Sequence, residues 1–259
     1  MTAIHPLYSL AGLFVGILVG MTGVGGGSLM TPILVLLFGF HPAVAVGTDL
    51  LYAAVTKSVG SAVHGWRRSV EWRIVGRLAA GSLPAACLSL LVLSHMGRPS
   101  AATAHLITVA LGVALLATGL SLVFRRQILA WSSAHRVDRG EVRTTISTIA
   151  LGMVIGVAVA LTSVGAGAIG ATVLLALYPR LSISRIAGTD IAHAVPLALV
   201  SGIGHWWMGN VDVSLLASLL LGSVPGIVIG SLVASRVDEG RLRLILAVTL
   251  IIVGVQLIL

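Results

Sequence analysis

From Thr103 to Phe124 the chain runs 22 residues without one Asp, Glu, Lys or Arg, and the 16 residues from Leu244 to Leu259 have none either. The runs 42–63 and 74–94 carry few charges. About 20 consecutive apolar residues suffice for a helix to cross a bilayer. An average soluble domain is about 25% charged. This chain of 259 residues is 9% charged and 57% hydrophobic, with mean hydropathy +1.08. Such a sequence has too little polar surface to clothe a soluble protein. The fold class expected is an all-α polytopic membrane protein. The opening "MTAIHPLYSL" has no Lys or Arg and so lacks the positive flank of a signal peptide. Cys87 stands alone, so no internal disulfide is available; in its apolar helix it reads as a small buried hydrophobe.

Self-similarity organises the rest. "VGTDL" (46–50) returns as "AGTDI" (187–191), "SAVHGW" (61–66) as "GIGHWW" (202–207) and "GSLPA" (81–85) as "GSVPG" (222–226), each 141 residues on. "TGVGGG" (22–27) returns as "TSVGAG" (162–167), 140 residues on. The chain therefore reads as a duplication: a first membrane repeat over 1–124, a cytoplasmic linker over 125–144 and a second repeat over 145–259. Each repeat is read as a glycine-broken pair of short helices followed by three full spans. The short pieces are 7–22 with 28–38, and 146–161 with 168–178. The spans are 42–65, 72–95 and 101–123, then 184–207, 213–235 and 240–258.

Charge sets the orientation. The net charge is +8, and 15 of the 16 basic residues are arginines beside apolar runs. Nucleic acid is not an expected partner for charges placed this way. If each broken pair enters and leaves on one side, the loops at 66–77, 124–144, 179–185 and 236–243 share a face holding 14 basic residues. Only Arg98 lies opposite, and Lys57 falls within a span. A single crossing would split the same loops nine against six. The positive-inside rule selects the first arrangement. Each half then crosses an odd number of times, so the second repeat is expected to be inverted, with both termini outside a cytoplasmic membrane.

Glycine is costly inside a helix, about 1 kcal/mol relative to alanine, yet four of the five residues from Gly23 to Gly27 are glycine. Broken helices at membrane depth are tolerated where the freed backbone faces protein or a polar cavity. In inverted-repeat transporters such breaks aim half-helix N-termini at substrate. The alternative is that these glycines only allow close helix packing. "GAGAIG" (165–170) fits a dinucleotide fingerprint, but its flanks are membrane helices rather than a βαβ unit, so no nucleotide cofactor follows.

Asp49 and Asp190 are the acids deep in apolar spans, at equivalent positions. Each reads either as a proton-coupling carboxylate or as a half-helix cap. Lys57 has Ala198 at its equivalent position in the other repeat and reads as lining the pathway or as snorkelling to the cytoplasmic face. Thr48, Thr56 and Thr189 offer hydroxyls to an oxyanion or to their own helix backbone. His64, His205, Trp66 and Trp207 lie at span ends and read as interfacial anchors. The Arg67–Arg77 cluster reads as a topology signal that also meets lipid head groups. Pro84, Pro196 and Pro225 read as kinks. No His, Cys and carboxylate set has metal-ligand spacing, and no metal or cofactor is expected.

"GVGGGSLMTPIL" in the first apolar region, "VGTDL" opening the next span and a repeated half resemble the TauE/SafE sulfite-exporter family, over about residues 7–258. The resemblance implies a transporter rather than an enzyme, exporting sulfite or organosulfonates such as sulfoacetate. The lone Cys87 argues against the cysteine-dependent thiosulfate uptake of some relatives. The expected site is an anion-binding centre at the two breaks. Backbone N–H groups of Gly25, Gly26, Gly27, Gly165 and Gly167 would hold the oxyanion, with Thr48, Thr189 and Lys57 nearby. The alternatives are an anion channel or a structural membrane subunit. Partners expected are a small anion, the lipid bilayer and, as one option, a second copy in a homodimer.

Overall fold

The computed structural model describes residues 4–22, 27–66, 70–96, 101–125, 127–128, 140–165, 167–233 and 239–259. Among these, ten helices carry the fold and there is no strand. The first five are α1 (Pro6–Thr22), α2 (Gly27–Leu36), α3 (Pro42–Trp66), α4 (Trp72–His95) and α5 (Ala101–Val123). The second five are α6 (Glu141–Thr162), α7 (Ala168–Leu177), α8 (Ile183–Trp207), α9 (Val213–Val233) and α10 (Glu239–Ile258). Each helix of the first set has its sequence counterpart five places on.

Six of these helices, α4, α5, α6, α8, α9 and α10, are long and apolar enough to cross a membrane. One expectation needs correction here. The piece expected over 146–161 is α6, which begins at Glu141 and has the 22 residues of a full span. Glu141 suits the first turn of a helix, where a negative charge meets the positive end of the dipole. α3, expected as a full span, has the length for one. Its 25 residues include Asp49, Lys57 and His64, which lower its hydropathy.

Helices pack across the repeat boundary, and the contacts come in matched pairs. The backbone of Leu219 in α9 stands where a Cβ on Gly12 of α1 would go, and Leu78 in α4 does the same to Gly152 of α6. Ser223 meets Gly16 as Ser82 meets Gly156, and Ser9 meets Gly222 as Ile149 meets Gly81. All three pairs map onto each other at offsets of 140 and 141. Small residues let helix backbones approach this closely, which is how membrane helices associate without a hydrophobic driving force. Along α1 and α9, and along α4 and α6, residue numbers rise together, so these pairs are parallel. In contrast Gly47 meets His205 while Gly202 meets Leu51, so the counterparts α3 and α8 run antiparallel. Gly112 meets Gly254 while Gly119 meets Ala247, so α5 and α10 do too.

Both short helices fold back on their predecessors. Tyr8 at the start of α1 makes edge contacts with Phe38 and Phe40 after α2, at 5.1 and 5.6 Å between ring centroids. Its counterpart Thr148 in α6 shares a 2.8 Å hydrogen bond with the hydroxyl of Tyr178, the counterpart of Phe38 after α7. Each broken pair is thus a hairpin whose ends lie together. Around Tyr178 the loop ends converge: Arg77 donates to the Tyr178 hydroxyl at 3.4 Å and pairs with Glu141 at 2.9 Å. Arg185 pairs with Glu71 nearby in sequence to α4 and α8. Cys87 is exposed, with Leu88, Leu91 and Val92 beside it, so the expected buried cysteine instead lies on the outward face of α4.

Candidate functional site

The second break shows how the chain turns. Ser163 ends α6 in the left-handed conformation with φ 60°, and Gly165 follows with φ 119°. Glycine takes that region freely, whereas a side chain pays a steric penalty there. The first repeat has Gly23 at the position of Ser163. Thr162 fastens the turn, its hydroxyl donating to Ala158 O at 2.7 Å and accepting from the N–H of Val164 at 3.1 Å. Gly167 precedes α7 and, having no side chain, gives the helix no side-chain cap of its own. Gly27 opens α2 in the same way by sequence position. Gly25 and Gly26, singled out in the sequence, lie outside the described residues, as does Ala166.

Asp49 and Asp190 flank this break from α3 and α8, both buried at 0% and 4% exposure. Their surroundings differ. Asp49 Oδ2 accepts a 2.5 Å hydrogen bond from the Thr31 hydroxyl of α2, and Ser163 faces it from the second break. The positions equivalent to Thr31 and Ser163 are Ala171 and Gly23, which have no hydroxyl to offer Asp190. Asp190 Oδ1 instead lies against Gly170 in the first turn of α7, where a Cβ would come to 2.5 Å from it. That oxygen has no hydrogen-bond partner.

One turn along from each acid sits a second polar pair. His193 Nε2 and the Ser82 hydroxyl of α4 are 2.8 Å apart. At the counterpart positions the Tyr52 hydroxyl faces Ser223 of α9, too loosely for a direct hydrogen bond. Lys57 joins the two halves. It lies within electrostatic reach of Asp49, Asp190 and His193, and forms no ion pair within 4 Å. The antiparallel register of α3 and α8 puts Lys57 near the middle of their contact, beside the region of Ala198. It lies within α3 and not at either end.

The threonines have other duties. The Thr48 hydroxyl accepts the N–H of Asp212 at 3.1 Å, and the Thr189 hydroxyl accepts the N–H of Glu71 at 3.0 Å while donating to Arg185 O. Glu71 and Asp212 are themselves counterparts, so the two bonds form one reciprocal tie between the repeats. Thr56 bonds its own helix at Tyr52 O. His205, expected as an interfacial anchor, is buried. Its Nε2 lies 2.9 Å from Ala160 O, one of the carbonyls that the end of α6 leaves without an intrahelical partner. Trp207, at 89% exposure, is placed as an anchor would be; the side chains of His64 and Trp66 lie outside the described residues.

Five buried polar atoms in this centre have no protein partner: Asp49 Oδ1, Tyr52 Oη, Ser163 Oγ, Asp190 Oδ1 and His193 Nδ1. Buried polar groups are nearly always hydrogen-bonded, so a cluster of orphans marks a place for water, ions or substrate. Sequence reading missed Tyr52, His193, Ser82, Ser223, Thr31 and Ser163 as members of one centre. A signal existed: "GSLPA" and "GSVPG" already pair Ser82 with Ser223.

Span-length apolar helices around a buried polar centre define a multi-pass membrane protein, and its relatives define the class as membrane transporter rather than enzyme. The chain belongs to the family described as sulfite exporter TauE/SafE, which matches residues 8–257. It is 39% identical over 253 residues to the probable membrane transporter protein YjnA of Bacillus subtilis, covering 96% of this chain and 98% of that one. It is 27% identical to the probable membrane transporter protein YdhB of the same organism, over 97% and 99% of the two chains. A probable membrane transporter protein of Xylella fastidiosa is 22% identical over 95% of this chain and 91% of its own. No solved structure matches.

Proposed function

We propose that this protein is a secondary transporter of a small sulfur-containing oxyanion, sulfite or an organosulfonate such as sulfoacetate, across a bacterial-type cytoplasmic membrane. It works by alternating access between two inverted halves. The antiparallel packing of α3 with α8 and of α5 with α10 supports the inversion, because counterparts related that way share an axis lying in the membrane plane. The observation that carries the reading is the uncapped break at Gly165–Gly167 opening onto a set of buried, unpartnered polar groups around Lys57.

The N-terminus of α7 presents roughly half a positive charge to this centre, and α2 does the same from Gly27. Gly165 and Gly167 hold the backbone open, with Gly25 and Gly26 assigned the matching role in the first repeat. Lys57 supplies the full positive charge. Thr48 and Thr189 hold the repeats together through Asp212 and Glu71 and are not assigned as ligands. The test is purified protein in liposomes loaded with sulfite or sulfoacetate. Saturable flux accelerated by the same anion on the opposite side supports a carrier. Flux that rises linearly with concentration and shows no such exchange indicates a channel, and flux equal to empty liposomes removes the reading.

A further inference from the structure

The centre holds one lysine and two carboxylates, so with all three ionised it carries a net charge of −1. An anion entering such a site meets repulsion unless a proton arrives with it. The two carboxylates are not equally placed to take that proton. Asp49 is held as an acceptor by the Thr31 hydroxyl, with Ser163 facing it. Asp190 has lost both hydroxyls to Ala171 and Gly23, and its Oδ1 is buried without a partner. An ionised carboxylate in that condition is expensive inside a membrane protein.

We propose that Asp190 is the site at which this transporter binds a proton together with its anion, while Asp49 stays ionised as a brace between α2 and α3. The proposal rests on the anion-transport reading above. Protonated, Asp190 leaves Lys57 balanced by Asp49 alone, and the uncapped α7 N-terminus then offers its positive end to the anion. The proton comes from the water on the side to which the site is open and leaves to water on the other side, as the anion does.

The groups facing Asp190 fit this role. From α3 it is faced by Lys57, and its own helix adds His193 one turn on, tied to Ser82 of α4. α7 presents Gly170 and α6 presents Ile155, neither ionisable. The ionisable residues of α4 and α6 lie elsewhere: Arg73, Arg77, Glu141 and Arg143 near the helix starts, with Cys87 and His95 exposed. The counterpart of His193 is Tyr52, so the imidazole tied to Ser82 belongs to the Asp190 half alone.

Binding of sulfoacetate to the purified protein, measured between about pH 6 and about pH 10, where its own groups are already ionised, tests the assignment. Where Asp190 has lost its proton, affinity should fall roughly tenfold per pH unit, the reciprocal of one proton bound per anion. Asp190→Asn should still bind, with the slope abolished; Asp190→Glu, which keeps the carboxyl, should retain it. Asp49→Asn should retain the slope as well. In parallel, infrared spectra should show a protonated-carboxyl C=O band that disappears in Asp190→Asn and persists in Asp49→Asn. A wild-type slope in Asp190→Asn, or a band lost only in Asp49→Asn, overturns the proposal. Absence of anion binding at every pH, with the band still assigned to Asp190, sinks the anion reading but keeps Asp190 as the proton site. Absence of both the binding and the band sinks the two together.

Discussion

Asp49 and Asp190 show how two identical residues at equivalent positions acquire different work from a few neighbours. The Thr31 hydroxyl gives Asp49 a hydrogen bond that Asp190 lacks, and removing it leaves a buried carboxylate oxygen unsatisfied. Thr31→Val keeps the shape and deletes the donor, so it should destabilise the protein by about 1–3 kcal/mol, read as a lower melting temperature in detergent. Gly170→Ala acts on the other acid. Its Cβ would come to 2.5 Å from Asp190 Oδ1, so the carboxylate must shift. Transport should fall sharply in Gly170→Ala while the protein still folds, and undiminished flux would show that the position of Asp190 does not matter. The acids themselves were legible as sequence, because an acid deep in an apolar span stands out. Their partners were not: Thr31 and His193 resemble any polar residue in a helix until tertiary packing brings α2 to α3 and α4 to α8.

At the scale of elements, the repeat decides which glycines matter. Those in α1, α6 and α9, and Gly81 in α4, sit where the backbone of a neighbouring helix fills the space of a side chain. The 23–27 cluster is the unusual feature of the sequence, and close packing describes a further set spaced along these helices. Gly156→Val should therefore clash with the backbone of Ser82 and destabilise by about 1–3 kcal/mol or more. Gly76, exposed on α4, has nothing within 4 Å of a Cβ. Gly76→Ala should be neutral or gain up to about 1 kcal/mol from helix propensity. Paired thermal melts of the two variants check the distinction, and equal losses would mean that glycine acts here through something other than helix contact. Helix limits were largely readable from hydropathy, since α1, α5, α8 and α10 fall within two residues of their expected ranges. The five extra residues at the start of α6 were not, because "EVRTT" is polar and only its place beside α4, with Glu141 on Arg77, makes it helix.

For the whole molecule, the decisive property is the direction of each half, and α3 and α8 supply matched probes. Both helices begin at a residue that caps them in the same way. His41 Nδ1 accepts the N–H of Ala43 at 3.3 Å, and Ser182 Oγ accepts that of Arg185 at 3.3 Å. They are counterparts at an offset of 141. Cys87→Ala provides a background without cysteine, and because Cys87 is exposed on α4 the change should leave the packing intact. In that background His41→Cys should react with a membrane-impermeant maleimide added to whole cells, and Ser182→Cys only after the membrane is opened. Trp207→Cys, at the far end of α8, should label from outside, because 25 helical residues span roughly 37 Å and must carry the chain across. Parallel halves would instead place His41 and Ser182 on the same side, and labelling of both from one side would refute the inversion. The arginines already lean one way: Arg77, Arg185 and Glu141 gather at the Tyr178 end, where 14 of 16 basic residues were assigned by loop charge. If that end is cytoplasmic, as the positive-inside rule requires, reversing the reagent to inside-out vesicles must exchange the reactivity of His41→Cys and Ser182→Cys completely.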